Sequence, residues 1–331
     1  MARWLNGLTA VVSSLACCPA LVFVGSHCAL AEAPAPPSLA SGLAQPALPE
    51  PPPLYETPAR ADRIGRILVP VKVNDQGPFR FVLDTGANRT VLTPRLAERL
   101  GLEVSHDTRL TLSGVTGSAS VPTVAVGHVK AGDVVLKAQH LPVADSLSAD
   151  VDGILGVDAL GGTRVIVDFD AGKVQVRKAH REGLLDGMTR VPAKFRFGRL
   201  LVVKATIGRI PVNAVIDTGS QYTLANLALR QRLGFPEGFT ASNSTDVIGE
   251  TLTRQRGERR QVPVLRMADA IQITRPTVIF GEFYVFRLWD LESEPAIVIG
   301  MDIIGSLEAF LIDYQRGEIQ LRPQADTLSG R

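Results

Sequence analysis

The sequence predicts an all-β protein made of two homologous units, and three observations carry that prediction. An apolar run ending in Asp-Thr-Gly occurs twice, as Phe81-Val82-Leu83-Asp84-Thr85-Gly86 and Ala214-Val215-Ile216-Asp217-Thr218-Gly219, 133 residues apart. The flanking sequence repeats at the same offset, Arg66-Ile67-Leu68-Val69 matching Arg199-Leu200-Leu201-Val202 and Leu100-Gly101 matching Leu233-Gly234. Outside two short helical stretches, the chain is a series of brief β-branched runs broken by Gly and Pro, the pattern of a sandwich or barrel.

Taken in order, residues 1–31 read as an export signal, with Arg3, an apolar region from about Leu8 to Val24, and Ala29-Leu30-Ala31 as the cleavage site. An uncleaved anchor is the rival, because the apolar region approaches the length of a membrane span. The expected destination is the periplasm or the exterior, with membrane attachment only if the signal stays on. Residues 32–60, rich in Pro and Ala, cannot bury a core and form a linker. The two units then span 61–180 and 193–325, joined by a polar link at 181–192, with a tail at 326–331.

Each unit carries one short helix after its Asp-Thr-Gly. Thr93 caps the first, Pro94 opens it and Gly101 closes it; Asn226 and Gly234 serve the second. Further on, Ile154-Leu155-Gly156 matches Val298-Ile299-Gly300. Each unit ends in a hairpin, around Val165–Arg177 and Phe310–Arg322. The offset grows from 133 to 144 and 145, so the middle of the second unit holds about a dozen extra residues.

Composition closes off several function classes. The 331 residues include 35 basic and 33 acidic side chains, with no basic stripe for nucleic acid. The cluster Arg254–Arg260 reads as a solvated loop. Cys17, Cys18 and Cys28 all lie in the leader, so the remainder of the chain has no disulfide or thiol nucleophile, and the scattered histidines show no metal-ligand spacing. No metal or cofactor is expected.

The chemistry then rests on the pair of carboxylates. Apolar flanks desolvate each aspartate, and Gly86 and Gly219 permit the tight turn that presents it. If the two loops meet across a pseudo-twofold axis, like charges in close contact cannot both ionise, and the pair holds one proton over a wide pH range. One member then activates a water as general base while the other protonates a carbonyl oxygen.

These residues resemble the pepsin/retropepsin-type aspartic proteases, with Asp84-Thr85-Gly86 and Asp217-Thr218-Gly219 as the two active-site triplets. Ile154-Leu155-Gly156 and Val298-Ile299-Gly300 stand for the elements that thread behind them. The resemblance implies two retropepsin-like β-barrel lobes related by a pseudo-twofold axis, and an exported aspartic endopeptidase that acts as a monomeric pseudo-dimer on an extended peptide. It implies Asp84 and Asp217 as the catalytic pair, with Thr85 and Thr218 bonding across the pseudo-dimer. Flaps would come from 112–118, through Gly114 and Gly117, and from 246–250, through Gly249. One candidate per half, and no tyrosine in either, is closer to two fused retropepsin units than to pepsin. A non-catalytic peptide-binding module of the same fold is the alternative. The residue after each triplet differs, Ala87 against Ser220, and a Ser220 hydroxyl bonded to Asp217 would make Asp217 the more readily ionised member. Asp158 and Asp302 are expected to cap short helices, Asp168 and Asp313 to close hairpin turns, and Trp289 to serve as core or pocket wall.

Overall fold

The computed structural model describes residues 56–58, 60–61, 65–145, 150–180, 182–236, 242–268 and 271–324. The leader, its cysteines, most of the linker and the tail lie outside them. The described residues are strands with four short helices, distributed over two sheets. None of these helices is long and apolar enough to cross a membrane.

The two aspartate-bearing strands are paired in the same way. Ile67–Val73 and Gln76–Leu83 form an antiparallel hairpin, as do Leu200–Ile207 and Ile210–Ile216. The second strand of each hairpin then pairs in parallel with the threading segment, Leu83 beside Leu155 and Ile216 beside Ile299. On its other side the threading strand pairs antiparallel with the short strand after the Asp-Thr-Gly turn, Val91–Leu92 or Leu224–Ala225. Neighbouring strands satisfy both edges of each threading strand, and packing in the core buries its faces, so Gly153–Leu155 and Ala296–Ile299 are apolar and buried.

The glycines that end these strands are required by close approach. A Cβ on Gly156 would lie 2.5 Å from the Arg89 carbonyl carbon, and one on Gly300 would lie 2.6 Å from that of Tyr222. The helices form as read from the sequence. The Thr93 hydroxyl accepts from the Leu96 amide at 3.2 Å, and the Asn226 side chain accepts from the Leu229 amide at 3.0 Å. Gly101 and Gly234 end them at φ +63° and +71°.

Three features differ from the sequence reading. The end hairpins Thr163–Lys178 and Leu307–Pro323 form, but they pair with each other, Arg164 opposite Asp313 and Val167 opposite Phe310. The end of the first unit therefore belongs to the larger sheet, which continues through Glu318–Pro323 and Thr189–Arg196 into Leu200–Ile207. The segment 181–192, read as a link, is strand from Thr189 onward. Arg254–Gln261 is also a strand, not a solvated loop. Most of its side chains are solvated, but Glu258 at its centre is fully buried between Arg230, at 3.1 Å, and Arg260, at 2.6 Å.

At the hairpin junction Arg164 is completely buried. Its guanidinium reaches Asp313, itself 1% exposed, at 3.3 Å, and also pairs with Glu182. Removing one partner of a buried pair strands the other charge, whereas an exposed pair contributes little. Urea denaturation of Arg164→Ala should therefore show a loss of about 3–5 kcal/mol. Arg322→Ala, which breaks partly exposed pairs with Asp168 at 3.1 Å and Glu308 at 2.8 Å, should lose about 1 kcal/mol or less for each pair.

Candidate active site

The two Asp-Thr-Gly turns meet where the paired hairpins converge. Asp84 and Asp217 are 6% and 5% exposed. Oδ1 of Asp84 accepts from the amides of Gly86 and Ala87 at 2.9 and 2.8 Å. Oδ1 of Asp217 accepts from those of Gly219 and Ser220 at 2.9 and 3.2 Å. Each glycine lies against the opposite carboxylate, so that a Cβ on Gly86 would overlap the Asp217 carboxyl and one on Gly219 that of Asp84.

Thr85 and Thr218 hold this approach through four buried hydrogen bonds. The Thr85 amide donates to Thr218 Oγ1 and the Thr218 amide to Thr85 Oγ1, both at 3.1 Å. The Thr85 hydroxyl donates to the Ile216 carbonyl at 2.7 Å, and the Thr218 hydroxyl to the Leu83 carbonyl at 2.6 Å. The sequence-predicted support residues Thr85, Gly86, Thr218, Gly219 and Ser220 are thus all brought to the pair. One layer further out, Asp158 and Asp302 do not cap helices. Asp158 accepts from the Thr90 amide at 2.9 Å and its hydroxyl at 2.7 Å; Asp302 accepts from the same groups of Thr223 at 3.0 and 2.7 Å. The same hydroxyls accept from the amides of Gly156 and Gly300 at 3.2 and 3.1 Å, tying each active loop to its threading strand.

Burial raises both carboxyls above their ordinary value of 3.8, and the amide donors only partly offset it. Burial and the charge of Asp84 raise Asp217, whereas the guanidinium of Arg66 draws Asp84 back toward its ionised form. The support expected from the Ser220 hydroxyl for an ionised Asp217 is not formed. The Ser220 hydroxyl donates to the Tyr222 carbonyl at 2.8 Å and not to Asp217, so it gives Asp217 no extra stabilisation as an anion.

Above the pair lies a cavity of about 350 Å³. Its roof is two hairpin tips, one between Val104–Ser113 and Ser118–Ala131 and the other between Ser244–Ile248 and Arg254–Gln261. Gly114 and Gly249 line the cavity; Gly117 instead sits against Thr253. The tips are joined by Thr116, 2% exposed, whose hydroxyl accepts from the Gly249 amide at 3.0 Å and donates to the Thr253 carbonyl at 2.7 Å. Part of the extra length of the second unit is the helix Tyr284–Leu288, which has no counterpart among the described residues between Pro142 and Gly153. It supplies the apolar wall Val285, Leu288 and Trp289, with Trp289 stacked on Phe197 at 5.4 Å. The Val285 amide donates to the Val115 carbonyl at 3.1 Å, fastening the first tip to this wall.

Sequence reasoning does not single out Thr116, Arg66, Glu250 or the helical wall. For Arg66 a signal exists, since it repeats as Arg199, but burial separates the two: Arg66 is fully buried and Arg199 exposed. Among the described residues no cluster of His, Cys, Asp and Glu has the arrangement of a metal site.

The raised Asp217 carboxyl has a consequence for stability. A group whose folded-state value lies above its unfolded one binds more protons when folded, so its contribution is present below the unfolded value and is lost as pH rises through the folded one. Asp217→Asn removes that loss. In denaturant titrations it should be more stable than wild type at about pH 7, with the difference shrinking to nothing as pH falls below about 4. Equal stability at neutral pH would contradict the assigned direction.

Residues 69–159 match the family model for aspartyl proteases. Among curated proteins, DNA damage-inducible protein 1 of Saccharomyces cerevisiae is 27% identical over 116 residues. That stretch covers 34% of this chain and 26% of the yeast protein, so the chain spans about a quarter of the length of the relative it matches. The family match contains Asp84-Thr85-Gly86 and Ile154-Leu155-Gly156. By this match and its all-β architecture, the chain resembles the retropepsin-like aspartic proteases over residues 69–159.

Proposed function

We propose that the chain is an aspartic endopeptidase in which Asp84 and Asp217 together activate one water, within a single-chain pseudo-dimer. The observation that carries this reading is the mutual approach of the two Asp-Thr-Gly turns, each glycine against the other's carboxylate and the threonines bonded reciprocally. The pair carries one proton. Asp84, beside Arg66, is the charged member and takes a proton from the water as it attacks a peptide carbonyl carbon. Asp217, raised by burial and by the charge of Asp84, gives its proton to the carbonyl oxygen. The resulting tetrahedral diol collapses when the carbonyl re-forms, the C–N bond breaks and the leaving amine receives the proton held by Asp84. The diol proton returns to Asp217, which restores the starting state.

The substrate is a peptide in extended form, lying between the hairpin tips and the aspartates and bonded through its main chain as an added strand. Gly114 and Gly249 are the flap glycines of this reading, and Gly117 supports the first tip. The walls Val91, Ile154, Leu224, Val285 and Leu288 favour apolar side chains beside the scissile bond. The reaction needs no cofactor.

Digestion of a complex peptide mixture by the full chain, read by mass spectrometry across roughly pH 4 to 7, tests the reading. Internal cleavages should occur within a bounded pH window, because activity needs Asp84 ionised and Asp217 protonated. They should vanish in both Asp84→Asn and Asp217→Asn. Cleavage surviving in either variant would sink the mechanism. No cleavage by the wild type would favour a peptide-binding module. We also propose export with removal of the leader after Ala31. N-terminal sequencing of protein from the expressing cell should then begin at Glu32; a retained leader in the membrane fraction would establish an anchor instead.

A further inference from the structure

The two units are near copies, yet one of their shared positions has become unequal at the heart of the site. Arg66 and Arg199 correspond across the repeat, but only Arg66 is fully buried. Arg66 immediately precedes the strand Ile67–Val73 and Asp84 immediately follows its hairpin partner Gln76–Leu83, where Leu68 pairs with Val82, and the charge of Arg66 acts on Asp84. On the other side the guanidinium of Arg66 forms an ion pair with Glu250. Glu250 is the neighbour of Gly249 in the tip of the second unit; it lines the cavity, and its side chain is 17% exposed. A row of alternating charge, Asp84, Arg66 and Glu250, therefore runs from one unit's aspartate to the other unit's tip.

We propose that Arg66 is a positioning residue that conveys the charge of Glu250 to the aspartate pair, so that docking of the second hairpin tip on the first unit retunes the pair. This rests on the reading of the two aspartates as the reacting groups. The titratable and charged groups that face the aspartate pair include Arg66, which acts on Asp84, and the buried hydroxyl of Tyr314, which burial and the charges of both aspartates keep neutral; a carboxylate facing Arg66 from the tip is that of Glu250. With the tip docked, Glu250 offsets part of the guanidinium's field, and Asp84 holds its proton more readily and is the stronger base. With the tip withdrawn, the guanidinium loses this offsetting charge, acts more strongly on Asp84 and makes it a weaker base. The site thus gains basicity when the roof is closed over it. Linkage makes the effect reciprocal: removing the charge of Asp84 strengthens the hold of Arg66 on Glu250 and tightens the docked tip.

Two measurements on the full chain test this without using peptide cleavage. In the first, the aspartate pair is titrated by ¹³C NMR of its carboxyl carbons, assigned through their loss in Asp84→Asn and Asp217→Asn. Glu250→Gln, at a partly exposed tip that leaves the core intact, should lower the first ionisation of the pair by roughly half a unit or more. Arg66→Lys should stay near wild type, and Arg66→Gln combined with Glu250→Gln should raise it. A Glu250→Gln midpoint equal to or above that of wild type overturns the proposal, and a tether that acts only structurally gives that result. In the second, amide exchange of Gly249, the tip group bonded to Thr116, is compared at one fixed pH. It should be roughly threefold or more slower in Asp84→Asn than in wild type, and unchanged or faster exchange overturns the reciprocal half. If the midpoints shift as stated while the peptide digest stays silent, the protease reading fails and the relay stands.

Discussion

Everything at this site depends on the reciprocal bonding of Thr85 and Thr218. Each hydroxyl accepts from the other's amide and donates to the carbonyl before the other's aspartate. Threonine suits this place because one oxygen must both accept and donate with no water present; valine has the shape but would leave an amide and a carbonyl unpaired in the core. The bond set forces the two loops together, and that closeness removes any room for a side chain at Gly86 or Gly219. It also forces two carboxyls into one dry space. The repulsion and desolvation that result would favour separation, and the grip resists it.

The shared sheet gives the grip its rigidity. Because Thr163–Asp168 pairs with Leu307–Asp313, the two units are joined by continuous backbone hydrogen bonding as well as by the threonines. The buried Arg164–Asp313 pair sits directly across that junction, where partners of opposite charge specify which residues face each other. Asp313 meanwhile bonds the amides of Gln315 and Arg316 at 3.0 and 2.9 Å, closing its own hairpin turn. One carboxylate thus fixes both a local turn and a long-range register.

How much of this the sequence discloses depends on the range of the interaction concerned. Features settled by near neighbours are legible: the aspartate-bearing strands, the Thr93 and Asn226 caps, the glycines that let Gly156 and Gly300 pass close to backbone, and the hairpins at the ends of the units. Features settled by distant partners are not. The alternation within Val165–Arg177 shows a strand, but it carries nothing about which edge that strand joins. The run Arg254–Arg260 looks solvated because Arg230, which balances Glu258, is far away in sequence. Ser220 misleads because a hydroxyl beside a carboxylate in sequence has other acceptors in space, and it bonds the Tyr222 carbonyl instead. Of the candidate site, the paired aspartates and their supports are readable from duplication alone; the roof's Thr116 join is not, since it connects two tips whose facing residues lie 133 positions apart.

Duplication within one chain gives a symmetric scaffold the freedom to become unequal. A dimer of identical units must carry the same residue on both sides of its axis, so any group that favours ionisation of one aspartate favours it equally in the other. Here each half changes alone. Arg66 is fully buried and its charge acts on Asp84, while Arg199 is exposed, and the second half adds the wall Val285, Leu288 and Trp289. The proposed hydrolysis asks opposite things of the two carboxyls, and in that proposal a fixed difference between them removes the need to choose roles anew at each encounter with substrate. The same wall makes the two ends of the cavity chemically distinct, so an extended chain lying in it meets a preferred direction. Symmetry builds the site, and its local failure gives that site a polarity.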